Sequence, residues 1–113
     1  MMDTDIHGVP DATLGGYFAE HERPPAFEGV DTKPYTVSIE VERTGDLRMP
    51  WSGFLVFPRW ADTGLGIVGH VETDVIEHGR TENEVRGRLE GLSLERVKAL
   101  LDEAIQRRRD GDG

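Results

Sequence analysis

Met49-Pro50-Trp51-Ser52-Gly53-Phe54-Leu55-Val56-Phe57-Pro58-Arg59-Trp60 decides the fold of this 113-residue chain. It holds both tryptophans and two of the four phenylalanines. Read as a strand from Trp51 to Trp60, it places Gly53, Leu55 and Phe57 on one face and Phe54, Val56 and Trp60 on the other. Both faces are apolar, the pattern of a strand covered on two sides. Proline gives no donor to a ladder, so Pro58 predicts a bulge or a strand end at Phe57.

On its N-terminal side, Tyr35, Val37, Ile39 and Val41 alternate with Thr36, Ser38, Glu40 and Glu42. Strict period-two alternation predicts a half-buried strand, with the glutamates on its wet face. Thr44-Gly45-Asp46 is a turn, so the two strands pair antiparallel. On the C-terminal side, Ala61 to Gly66 is a second turn and Ile67 to Glu77 a third strand. Thr81 with Glu84 forms a capping box, opening a short helix with Val85, Leu89 and Leu92 on one stripe. Gly91 ends it. Ser93 caps a longer helix to Arg109, whose apolar face is Leu94, Val97, Leu100, Leu101, Ala104 and Ile105. Arg107, Arg108 and Arg109 suit the negative end of its dipole.

Residues 1–33 read as an arm in which Asp3, Asp5, Asp11, Gly15, Gly16, Pro24 and Pro25 break any periodicity. Leu14, Tyr17, Phe18 and Phe27 imply that part of it docks, on its own sheet or on a neighbouring copy. Leu14 to Ala19 is expected as a short edge strand, with a helix capped by Asp11 as the alternative. The expected fold is therefore α+β: a small, mostly antiparallel sheet of three to four strands, with two C-terminal helices on one face. The expected organisation is an arm over 1–33, a single domain over 34–109 and a frayed tail over 110–113.

The net charge of −9 lies in the first two thirds of the chain, because residues 79–113 carry eight acids and eight bases. Phosphate binding by a duplex needs a clustered basic face, so duplex nucleic acid is not expected as a partner. The chain has no cysteine, which excludes disulfides, thiolate metal sites and thiol catalysis. There is no long apolar run and no basic-then-apolar leader pattern, so a cytoplasmic protein without a membrane partner is the expectation. Two lysines stand against eleven arginines and twenty-two acids. That bias fits either a halophile's charged surface or a genome rich in arginine codons.

Candidate chemistry is sparse. His70, Glu72 and Asp74 project from one strand face, and His78 follows close by. Imidazole and carboxylate are legitimate ligands for a divalent metal, so His70, Glu72 and His78 form a candidate metal set. Same-face neighbours lie ~7 Å apart, so one strand cannot complete the site. No Gly-x-Ser-x-Gly elbow surrounds Ser38, Ser52 or Ser93. Gly64 to Gly69 matches Gly-x-Gly-x-x-Gly formally, but a strand follows it where the dinucleotide fingerprint needs a helix.

Trp51, Phe54, Trp60, Phe27 and Tyr17 are the candidate interface residues, since aromatic side chains often anchor interfaces. Helices can cover only one face of so small a sheet. The other needs the arm or a second copy, which predicts a homodimer. The functional expectation is a non-enzymatic interaction or regulatory module with a protein partner. A metal-dependent enzyme using His70, Glu72 and His78 is the alternative, and a small-ligand binder built on the aromatic cluster a third reading.

The order of three strands and then Gly79-Arg80-Thr81-Glu82-Asn83-Glu84-Val85 opening a helix resembles HicB-type antitoxin domains over roughly residues 34–92. The resemblance concerns fold. The Pro-Gly-Cys-type turn of that family is missing, and no DNA-binding helix-turn-helix or ribbon follows.

Overall fold

A computed structural model describes residues 12–112, apart from the side chain of Asp112. The element order is α1 (Leu14–His21), β1 (Ala26–Glu28), β2 (Pro34–Thr36), β3 (Ser38–Arg43), β4 (Trp51–Trp60), β5 (Ile67–Glu72), β6 (Glu77–Gly79), α2 (Glu82–Glu90) and α3 (Leu94–Asp112). The fold is α+β, and the described residues form an antiparallel six-stranded sheet and three helices.

β4 is the centre of the sheet, pairing with β2 and β3 on one side and with β5 and β6 on the other. The six strands lie on four lines, because two lines are interrupted. β2 and β3 share one register: Tyr35 faces Arg59 and Ser38 faces Val56. The break falls where Thr36 comes opposite Pro58, which has no N–H to give. On the other side Glu72 faces Val56 and Glu77 faces Gly53. Five steps there match three on β4, and residues 73–76 bow out to absorb the difference. Thr73 bridges this gap: its N–H donates to the Leu55 carbonyl at 2.9 Å and its Oγ1 accepts from the Leu55 N–H at 3.1 Å. β4 runs through Pro58, and the irregularity falls one residue later, between Arg59 and Trp60.

Gly53, Leu55 and Phe57 face the helices. Leu55 and Phe57 are fully buried and share one cluster with Val97, Leu100, Leu101, Ala104 and Ile105 of α3 and Leu14 of α1. A Cβ on Gly53 would collide with Val85 and stand 2.7 Å from Leu89 Cδ1, so its bareness lets α2 lie against β4. Val85 and Leu89 are themselves fully buried.

The helix signals are met with two differences. Thr81 Oγ1 accepts from the Glu84 N–H at 3.1 Å, but Glu84 Oε1 returns to the N–H of Arg80 at 3.3 Å, one residue ahead of the cap. Ser93 Oγ accepts from the Arg96 N–H at 3.0 Å, and α3 continues to Asp112, so residues 110–112 extend the helix where a frayed tail was expected.

The arm departs most from expectation. Leu14–His21 is a helix where an edge strand was expected, and its cap is Thr13, whose Oγ1 accepts from the Gly16 N–H at 3.0 Å. Asp11, the alternative cap, lies outside the described residues, as do Asp3 and Asp5. Gly15 serves packing: a Cβ there would come within 2.8 Å of Glu90 Cβ, so α1 crosses close over α2. The Leu14 N–H donates to the Leu92 carbonyl and the Leu94 N–H to the Ala12 carbonyl, tying the arm to the α2–α3 junction. β1 then adds to the sheet edge beside β2, with Phe27 opposite Tyr35.

Candidate functional site

The face of the sheet turned away from the core cluster carries the even-numbered residues of β4. Phe54, Val56, Pro58 and Trp60 form a row along the central strand, each half-buried, and none belongs to the cluster. Pro58 also borders a groove that it shares with Gly15, Phe18 and Ala19 of α1 and Arg86 and Glu90 of α2. Glu40 stands opposite Phe54, Ser38 and Glu72 flank Val56, and Ile67 pairs with Trp60. Ile67 is exposed, which extends the apolar row across the β4–β5 ladder.

Trp60 is held in place. Its Nε1–H donates to Thr36 Oγ1 at 2.9 Å, satisfying the one polar atom of the ring and fixing it across β2. A hollow of about 400 Å³ opens beside it, lined by Ala26, Pro34, Thr36, Ala61 and Gly64. Gly64 has φ +77°, the left-handed conformation that its turn requires. The rim of this face is polar: Glu40 and Glu42 on β3, His70 and Glu72 on β5, and His78 on β6, all exposed.

The other aromatic candidates lie elsewhere. Trp51 has the parity of Gly53, on the helix-facing side, with the Arg43 guanidinium carbon 5.0 Å from its ring centre. Phe27 packs against the core cluster. Tyr17 lies on α1, its ring 4.2 Å from that of His21 and 5.5 Å from the Arg23 guanidinium carbon. The five aromatics thus occupy four separate places, and only Phe54 and Trp60 share a surface.

The three candidate metal ligands do not converge. His70 faces Pro58 and His78 faces Ser52, six residues apart on β4. At ~3.3 Å per residue that separates them by ~20 Å along the strand. Among the described residues no group of three or more His, Asp or Glu side chains is arranged to hold a metal ion. Asp74 is instead 2.5 Å from Arg107 Nη1.

A second concave feature gave no sequence signal. Asp31, Tyr35, Arg59, His70, Arg108 and Arg109 line a cleft of about 260 Å³ between the β1–β2 loop, β5 and the end of α3. Tyr35 is 3% exposed and its hydroxyl donates to Asp31 Oδ2 at 2.7 Å. Burial, then the hydrogen bond and charge of Asp31, push the phenol up to about 12, although Arg59 and Arg108 pull the other way. These residues come from four parts of the chain, and no spacing rule connects them.

Scanned against family models, curated proteins and solved structures, the chain matches none. The resemblance to HicB-type domains therefore stays one of element order. No described helix is long and apolar enough to cross a membrane.

Proposed function

We propose that this protein is a non-enzymatic interaction module that works as a homodimer through the open face of its sheet. The row Phe54, Val56, Pro58 and Trp60 carries the reading: a strip of half-buried apolar residues along the central strand, none of which joins the core cluster of the described residues. A two-fold axis parallel to β4 would lay this strip on its own copy, the self-complementary arrangement of a closed dimer. The polar rim favours the same operator. Glu42 and His78 flank Ser52 from opposite sides, so that rotation sets Glu42 of one copy over His78 of the other.

The area sets the strength. Ten residues of β4 and three strand lines make a footprint of ~33 Å by ~14 Å. That is less than the ~800 Å² per partner of a standard interface, so association belongs in the micromolar range. Sedimentation equilibrium between low and high micromolar concentration tests it. A reversible monomer–dimer equilibrium is expected, abolished by Phe54→Glu with the circular dichroism spectrum unchanged. A wild-type monomer at every concentration refutes the dimer. Stoichiometric metal in the purified protein, lost in His70→Ala, would move the assignment to a metal-dependent enzyme.

A further inference from the structure

We propose that the hollow beside Trp60 is a binding site for a small quaternary ammonium solute.

Register builds the site. Residues directly opposite each other in a ladder share a face. Tyr35, opposite Arg59, belongs to the core cluster, so Pro34 and Thr36 on either side of it stand on the open face with Trp60. Ala26 pairs with Thr36 and Glu28 with Pro34, which adds both to that face. Ala61 and Gly64 of the following turn complete the lining. The walls are thus small apolar groups around one indole ring, and that ring is already fixed by its bond to Thr36 Oγ1 at 2.9 Å. A ligand does not have to order it, which removes one entropic cost of binding.

The charge at this place is of one sign. Asp62 is the one charged residue that lines the hollow, and Glu28 stands exposed on the same face. Among the described residues neither carboxylate has a hydrogen-bond or ion-pair partner. Arg59, next to Trp60 in sequence, has the opposite parity and lines the cleft beside α3. An indole face attracts a cation through its quadrupole, and two free carboxylates add to that attraction.

The walls select the kind of cation. A primary ammonium brings three N–H donors that need acceptors. Besides Asp62, the polar side chains at the hollow are Thr36 and Tyr35, and both are engaged, Thr36 Oγ1 by Trp60 and the Tyr35 hydroxyl by Asp31. A quaternary ammonium has no N–H, and its methyl groups suit Ala26, Pro34 and Ala61. At about 400 Å³ the hollow lies within the ~300–1,000 Å³ range of small-ligand sites. The site is complete within one copy of the chain, whether or not the strip beside it pairs.

The test is a titration of ¹⁵N-labelled protein at constant ionic strength with choline chloride, and with its neutral analogue in which carbon replaces the nitrogen. Saturable shifts of the Trp60 indole N–H and of the Ala26, Thr36 and Gly64 amides are expected, with a dissociation constant on the order of 1–10 mM for choline. The Trp51 indole, on the helix-facing side, should stay still. The neutral analogue should bind about fivefold more weakly. Asp62→Asn should weaken choline binding about threefold, and Trp60→Leu about tenfold, read on the Ala26 and Gly64 amides. Phe54→Glu, which removes the dimer contact outside the hollow, should bind choline at least as tightly as the wild type, so a failed dimer and a failed site are told apart. Shifts that never saturate, or equal binding of the neutral analogue, overturn the proposal. So does a choline affinity that Asp62→Asn and Trp60→Leu both leave unchanged.

Discussion

Arg107 and Asp74 meet at 2.5 Å across the seam between the last helix and the edge of the sheet. Among the described residues β5 pairs only with β4. Pro58 has no N–H, so His70 opposite it belongs to a non-hydrogen-bonded pair whose carbonyl points outward. The Arg108 guanidinium caps that carbonyl at 2.7 Å and Arg107 Nη2 reaches the Glu72 carbonyl at 3.4 Å. Arg107 and Arg108 thus cover an edge that would otherwise template pairing with another chain. Replacing Arg107 and Arg108 by alanine should cost about 1–2 kcal/mol, the sum of two modest hydrogen bonds and an exposed ion pair. Urea melts measure the loss, and light scattering on warming should show earlier aggregation.

Gly53→Ala tests how closely α2 lies on the sheet. The added methyl meets Val85 and the Leu89 methyl, both inside the core. Overpacking of this kind costs about 1–3 kcal/mol. Chemical denaturation should show the midpoint falling, with Gly45→Ala, where a Cβ meets nothing, as the neutral control.

At Gly15 the expected effect is local. Gly15→Val sets a branched side chain against Glu90 Cβ and the Glu90 carbonyl, which should lift α1 off α2 while the sheet persists. Hydrogen exchange should accelerate over Leu14–His21 and remain slow over β4.

Tyr35 makes stability depend on alkaline pH. The folded state holds its phenol near 12, above the ordinary value of 10.0. As pH rises from 10 toward 12 the unfolded chain loses this proton and the folded chain keeps it, so ionisation favours unfolding. Stability is whole below pH 10 and declines through this window by up to about 2–3 kcal/mol. Tyr35→Phe should flatten that decline while lowering stability at pH 7 by about 1 kcal/mol through the lost bond to Asp31. Denaturant melts at pH 9 and pH 11.5 separate the two effects.

The elements with strong periodicity were legible. Strict alternation gave Tyr35 to Glu42, the two-faced pattern gave β4, and the caps at Thr81 and Ser93 placed both later helices, because each signal is local. The interrupted strand lines were not legible, since they depend on which residue comes opposite Pro58 and on a two-residue excess at 73–76. α1 was missed for a related reason. Gly15 and Gly16 oppose helix formation by propensity, and the compensating contact with Glu90 lies 75 residues away. The candidate site divides in the same way. Phe54 and Trp60 could be assigned to one face by parity alone, whereas the Asp31–Tyr35–Arg59–Arg108 cleft exists only once the chain has closed.

The tie between the arm and the α2–α3 junction also sets an order in time. The strands from Pro34 to Gly79 pair with sequence neighbours and can form as the chain emerges. Leu14 and Ala12 must wait for Leu92 and Leu94. At ~5–20 residues per second of synthesis, those ~80 intervening residues take roughly 4–16 s to make. α1 thus leaves the ribosome well before the segment it docks on, and until then the core cluster lacks Leu14.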